Sequence, residues 1–299
     1  MRVIVLGIDG LDADLVLRWR LKAFMQQYYG THDVRVAVKP GDPLYTPLIW
    51  ASFLLGKPAY EYGFTHEELV KRRDLTAYRK FGPLYSLRLK IFGKRSLHLR
   101  KIMMKLGLYD RENVVKKFHE VEALPKEALR DTFPEIAKRE GFKVWAEEFP
   151  SYNEARFAEW RARASEYLGL SLREKLKVLD ERTDYSIKLL DRAINAAQDH
   201  DLILYYTSVI DWANHKLYKP ESLTSMTFLA SYYKKFEKLI SKARRKLKKF
   251  AILIVSDHGY DPRVQEHSSK GFWSLNIKPP ITPRTILDFK GLILELLRC

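Results

Sequence analysis

MRVIVLGIDG, residues 1–10, places one Arg before a short run of Val, Ile and Leu that stops at Asp9-Gly10. The β-branched content and the abrupt polar stop predict a buried parallel strand, Arg2 to Ile8, that delivers Asp9 to its carboxyl end. The apolar run is too short for a secretory leader and carries no cleavage signal, so a signal peptide is not expected. A helix should follow from Asp12 onward.

Further along, Val34 to Val38 reads as another short strand. Pro40, Asp42, Pro43 and Pro47 then punctuate a loop before the apolar stretch Ile49 to Leu55, which opens a helix and leaves Thr46 at the loop-to-helix entry. Phe133 to Arg139 looks helical, Gly141 ends it, and Lys143 to Phe149 alternates like a strand. Two charged helices, Tyr152 to Tyr167 and Leu172 to Asp199, precede a strand at Asp201 to Thr207. A helix from Thr224 to Lys248 leads into the apolar strand Phe250 to Ser256. This alternation predicts an α/β fold, a mostly parallel central sheet flanked by helices, in a single domain spanning residues 1–299. No internal repeat interrupts it.

The net charge of +16 asks for an anionic partner: a phosphorylated metabolite, nucleic acid or an acidic membrane surface. Between Glu67 and Lys117 lie fifteen Lys and Arg against five acids, so this stretch alone supplies +10 of the total. Tyr78, Phe81, Tyr85, Leu89, Ile91, Phe92 and Ile102 interleave the charges, which makes the segment amphipathic and points to a basic, helical insertion or cap over residues 67–130. Residues 67–117 could meet nucleic acid or anionic lipid. No apolar stretch approaches the length of a membrane span, and a cytoplasmic location is expected. The single cysteine, Cys299, excludes an internal disulfide and leaves metal ligation to His and carboxylates.

In open α/β sheets the chemistry gathers outside the carboxyl ends of the strands. Three expected strands end there in ligand-type residues: Asp9-Gly10, then Asp211-Trp-Ala-Asn-His215, then Asp257-His258-Gly259; His267 follows in Glu-His-Ser-Ser-Lys-Gly-Phe. Asp211 and His215 are spaced to share one face of a helical turn and chelate one cation. Adjacent Asp257 and His258 can serve one metal only if the backbone turns, which Gly259 permits. Taken singly, each piece has an ordinary structural explanation as a solvated pair, a turn or a surface histidine. Their joint occurrence at successive strand ends is what favours a metal site. The Asp/His mixture suits Zn²⁺, with Mn²⁺ or Fe as alternatives.

The order of these motifs resembles the type I phosphodiesterase/nucleotide pyrophosphatase branch of the alkaline phosphatase superfamily. The matching residues are Gly-Ile-Asp9-Gly, Tyr-Thr46-Pro-Leu-Ile-Trp-Ala-Ser-Phe-Leu-Leu-Gly56-Lys-Pro58, Asp211-Trp-Ala-Asn-His215, Ser-Asp257-His258-Gly and His267. The resemblance implies an alkaline-phosphatase-like fold and a centre for two divalent metal ions. Asp211, His215 and His267 would hold one ion, and Asp9, Asp257 and His258 the other. Thr46 would be the nucleophile, forming a phospho-threonine intermediate in hydrolysis of an anionic phosphodiester or phosphomonoester. Where nucleotide pyrophosphatases carry Asn three residues after the nucleophile, this chain has Ile49, which points away from a nucleotide substrate. The alternative is a catalytically weak or inactive relative that uses its basic segment as a binding module for nucleic acid or an anionic membrane surface.

Overall fold

The computed structural model describes residues 1–77, 109–167 and 169–299. Its first half runs β1 (Arg2–Ile8), α1 (Ala13–Arg18), β2 (Tyr28–Asp33), α2 (Thr46–Leu55), α3 (His66–Ala77), α4 (Arg111–Lys116), α5 (Phe118–Val121), α6 (Lys126–Leu129), α7 (Phe133–Arg139) and β3 (Val144–Ala146). The second half runs α8 (Arg156–Ala162), α9 (Leu172–Ala196), β4 (Leu202–Thr207), α10 (Val209–Leu217), α11 (Leu223–Lys246), β5 (Phe250–Val255), β6 (Gly259–Asp261), β7 (Glu266–Ser268), β8 (Lys270–Leu275) and α12 (Asp288–Arg298).

Six strands form one sheet in the order β2-β8-β5-β1-β4-β3, and β6 pairs β7 in a separate ribbon. β1 lies parallel to both β4 and β5, and β3 is parallel to β4, whereas β8 runs antiparallel to β5 and to β2. The fold is the expected α/β architecture of mostly parallel strands between helices. β4 and β5 are buried along their whole lengths, and β1 from Val3 onward, as continuous apolar runs must be when helices cover both sheet faces. Each buried Val, Ile or Leu contributes about 1.5–3 kcal/mol relative to exposure. Ile8 pairs with Thr207 and Gly7 with Val255, so the three central strands end at the same level.

All ten residues of α2 are buried, which fits a helix that is apolar all round. Gly7 allows this: a Cβ there would stand 3.0 Å from the Trp50 ring. Trp50 in turn meets Phe53, Phe149 and Tyr206 edge to face, pinning α2 to the sheet.

Three expectations need correction. The strand expected over Val34 to Val38 is a 3₁₀ turn at Arg35–Ala37, and the strand lies earlier, at Tyr28–Asp33. Asp33 accepts a hydrogen bond from the Arg35 amide at 2.8 Å, which folds the chain out of the sheet there. The strand expected over Lys143 to Phe149 shortens to Val144–Ala146, because Glu148 takes a left-handed backbone at φ 57°. The helix expected over Tyr152 to Tyr167 begins only at Arg156 and breaks into a 3₁₀ turn after Ala162. Ser151 also has positive φ, and the Glu148 carboxylate accepts the amides of Ala155, Arg156 and Phe157, capping the helix from outside its own sequence.

Of the basic insertion expected over 67–130, residues 78–108 lie outside the described residues. Its described flanks are the helices α3, α4, α5 and α6. Among the described residues no helix is long and apolar enough to cross a membrane.

Candidate metal centre

Asp9 leaves the end of β1, where its amide bonds the Thr207 carbonyl at 3.0 Å. Its side chain is buried. Tyr206 donates its hydroxyl to Asp9 Oδ2 at 2.5 Å, leaving Oδ1 bare and 3.1 Å from His258 Nε2. Asp257 follows β5; its Oδ1 accepts the Gly10 amide at 3.3 Å, while Oδ2 is bare and 3.4 Å from His258 Nε2. The backbone bends at Asp257, between β5 and β6, rather than at Gly259, and this brings the ligand atoms of Asp257 and His258 together.

Asp211 and His215 stand one turn apart on α10. Asp211 Oδ1 lies 3.4 Å from His215 Nε2, 3.5 Å from His267 Nε2 and 4.0 Å from His258 Nε2. His215 and His267 aim their Nε2 atoms at each other across 2.9 Å, and the rings of His258 and His267 stack at 3.7 Å. Six side chains from four separate segments thus converge at the carboxyl end of the sheet.

Backbone groups orient these rings. His267 Nδ1 meets the Leu44 carbonyl at 2.7 Å and His258 Nδ1 the Gly259 carbonyl at 2.9 Å. With Nδ1–H held by a carbonyl, each ring is oriented so that a cation displacing any Nε2 proton would find the Nε2 lone pair facing it. Gly10 and α10 interlock: Asn214 donates to the Gly10 carbonyl at 2.7 Å and accepts from Tyr233 at 3.1 Å. Gly10 has φ 66°, and a Cβ on it would lie 2.8 Å from Asp211, so only glycine lets the two segments come this close.

Asp9 Oδ1, Asp211 Oδ1, Asp257 Oδ2 and His258 Nε2 are buried without a hydrogen-bond partner. Three bare carboxylate oxygens and one imidazole nitrogen without partners in one spot are rare in native proteins and costly unless a cation satisfies them. The electrostatics agree. Burial, followed by Asp9, pushes the Asp257 carboxyl well up. Burial would lower the His258 imidazole, but Asp257 and Asp9 outweigh it and push the ring up to about 10. Burial raises Asp211 too, yet His215, His267 and His258 together hold it below the usual carboxylate range. His267 is pulled down to about 4 by burial and by His258. A cluster of carboxylates that binds a proton this tightly on histidine is a cluster lacking positive charge.

Two triads bring donor atoms close enough for one ion each: Asp211, His215 and His267, and Asp9, Asp211 and His258. The first is the ligand set implied by the resemblance. In the second, Asp211 stands where Asp257 was expected, and Asp257 adjoins through its bare Oδ2. The residues present fit divalent cations by donor type, by burial and by the orphaned atoms.

Thr46 is the first residue of α2 and only 4% exposed. Leu44, two residues earlier, is the residue whose carbonyl holds His267, which ties the start of α2 to the metal cluster. The amides of Leu48 and Ile49 both turn back to the Tyr45 carbonyl. Tyr45 donates its hydroxyl to Glu122, and Arg161 bonds Glu122 at 2.9 and 2.6 Å and also grips Glu154. This partly buried network clamps the residue next to Thr46. Sequence reasoning gave no role to Tyr45, Tyr206, Asn214 and Arg161: the two tyrosines look like ordinary core aromatics with a polar tip, and Asn214 and Arg161 look like ordinary helix-surface residues.

The family model for type I phosphodiesterase / nucleotide pyrophosphatase matches residues 3–273, and the chain belongs to that family. The activity class of the family is hydrolysis of phosphate esters. Among solved structures, PH0037 protein from Pyrococcus horikoshii is similar at 13% identity, with TM-score 0.49 and coverage of 99% of this chain and 97% of that one. Human ectonucleotide pyrophosphatase / phosphodiesterase 5 is similar at 16% identity and TM-score 0.37. An inactive variant of the murine protein, in complex with AMP, is similar at 14% and 0.37. The match covers 87% of this chain and 57% of each mammalian chain. No curated protein matches the chain.

Proposed function

We propose that the protein is a metal-dependent phosphohydrolase that cleaves a phosphodiester or phosphomonoester by in-line attack of Thr46, through a phospho-threonine intermediate. The observation that carries this reading is the set of orphaned buried oxygens and nitrogen on Asp9, Asp211, Asp257 and His258 beside the start of α2. Two divalent ions, with Zn²⁺ the best match to the donors, would be held by Asp9, Asp211, His215, Asp257, His258 and His267. When bound, such ions supply Lewis-acid stabilisation of the phosphoryl oxygens and lower the pKa of a coordinated hydroxyl.

The chain's own residues do the rest. Thr46 brings its hydroxyl to the head of α2, where the helix dipole favours an approaching phosphate oxygen. The Tyr45 clamp and the contact of the Leu44 carbonyl with His267 fix the backbone on either side of Thr46 and would keep its hydroxyl directed to the centre. Tyr206 keeps Asp9 turned inward, and the Nδ1 contacts keep His258 and His267 in one tautomer. We take the chain as one catalytic domain on which the basic segment is an insertion.

Metal-loaded protein should hydrolyse bis(p-nitrophenyl) phosphate, p-nitrophenyl phosphate or both. Thr46→Ala should lower kcat on the order of 10³-fold or more while the metal content stays. Turnover that survives this change would remove Thr46 from the nucleophile's role.

A further inference from the structure

Residues 234–249, the second half of α11 and the turn into β5, hold nine Lys and Arg against one acid, Glu237, a net of +8 out of the chain's +16. All nine are exposed except Arg244, which is half-buried. Among the described residues only two of them meet a carboxylate within ion-pair distance: Lys234 with Glu237 at 2.9 Å and Lys242 with Asp191 at 3.8 Å. The end of a helix carries about half a negative charge and favours a cation or two in its last turn, which does not account for nine. Lys234, Lys238, Lys242 and Lys246 succeed one another at i+4, a spacing at which like charges destabilise a helix. Local stability therefore does not explain the row.

The surface at this helix end is concave. Two hollows of about 410 and 350 Å³ adjoin, with Ser241, Arg244 and Arg245 lining both. The first runs to Lys22 and Lys238, the second to Lys248 and Asn276, so together they form one groove with five cations along it. Its one carboxylate, Glu237, is engaged by the Lys234 ammonium at 2.9 Å and the Ala23 amide at 3.4 Å. Arg244 donates to the Ala23 carbonyl at 3.1 Å and Arg245 to Ser241 Oγ at 3.4 Å, which sets both guanidiniums at the middle of the groove with further N–H donors to offer. Ile252, in the wall of the second hollow, precedes Asp257 by five residues of extended chain, about 16 Å. The groove thus lies at the other end of β5 from the candidate metal centre.

We propose that this groove docks the phosphate backbone of a double-stranded nucleic acid, without regard to sequence. A row of ammonium and guanidinium groups in a groove matches discrete, regularly spaced phosphates. A helix that lies on a membrane sinks Trp, Phe or Leu side chains among the lipids. Here Tyr233, Phe236 and Ile240 of α11 are turned into the core, and none of the exposed large hydrophobic residues falls within 234–249. Proteins that hold single strands stack the bases on aromatic rings, and no aromatic residue lines either hollow. The backbone of a duplex is the polyanion that such a surface fits. The inference is independent of the phosphohydrolase reading, because it uses no residue of the metal centre.

Fluorescence anisotropy of the full chain with a fluorescein-labelled DNA duplex tests this. Phosphate contacts from Lys22, Lys238, Arg244, Arg245 and Lys248 predict a slope of log K against log salt of about −4.5, a loss of about 500-fold in affinity between about 50 and 200 mM salt. A second duplex of unrelated sequence should bind equally well. The triple variant Lys238→Gln/Arg245→Gln/Lys248→Gln, altered only at exposed positions, should flatten the slope to about −1.8, with a thermal midpoint unchanged or higher as like charges are removed from α11. The control Lys126→Gln/Lys143→Gln/Lys177→Gln, which removes the same charge from exposed positions elsewhere, should keep the slope of the wild type. No binding of either duplex at low salt, an unchanged slope in the triple variant, or an equal loss in the control would each overturn the proposal. So would tighter binding, at equal phosphate, to phosphatidylserine vesicles, to inorganic polyphosphate or to a single strand than to the duplex.

Discussion

Tyr206 is the residue that most separates a metal site from a heap of acids. Its hydroxyl occupies Asp9 Oδ2 and leaves Oδ1 as the atom offered to a cation. Groups that orient a ligand in this way typically matter 10- to 100-fold to metal affinity. Tyr206→Phe should therefore weaken metal binding by about 10- to 100-fold, measured by competition with a chelator, while the thermal midpoint of the apoprotein moves little. Unchanged affinity would show that Asp9 needs no such support. At this scale the six side chains that cluster were legible in the sequence because Asp and His at strand ends are conspicuous. Tyr206 was not: β4 is buried on both faces, so its apolar run hides which side chain faces the site.

At the scale of elements, the central strands were legible because β1, β4 and β5 are continuous apolar runs. The edge strand β2, Tyr-Tyr-Gly-Thr-His-Asp, was not, because it is polar and owes its place to pairing with β8. The start of α8 was equally hidden, since its cap is Glu148, far outside its first turn. β2 carries a pH-sensitive residue. His32 is buried against Phe289, with ring centres 4.9 Å apart, and burial pulls its pKa from 6.5 to about 3, the Ser256 carbonyl and Asp288 opposing. Because the folded pKa lies below the unfolded value, the unfolded chain takes up the proton first. The stability this neutral histidine allows is complete above pH 6.5 and is lost as pH falls from there toward 3. Thermal melts between pH 7 and about 4.5 should fall more steeply for the wild type than for His32→Gln. Parallel declines would assign the acid sensitivity to other groups.

For the whole molecule, family, fold and site tell one story at different resolutions. The family model spans residues 3–273, and the six Asp and His side chains proposed as ligands meet where the parallel strands end. What sequence patterns could not supply is convergence. Asp9 and Asp257 are far apart in the chain, and only the order β5-β1-β4 puts them side by side. The assignment of Asp257 to a particular ion was likewise beyond reach, because Asp211 leans toward both triads. The net charge of +16 belongs to this scale as well, since it draws anions to the surface whatever the site then does with them.

The central claim is a centre for two ions, and counting them tests it most directly. Metal-loaded protein, freed of loose ions and analysed by inductively coupled plasma mass spectrometry, should hold two divalent ions per chain. Wild-type protein that holds one ion or none under saturating metal would contradict the account.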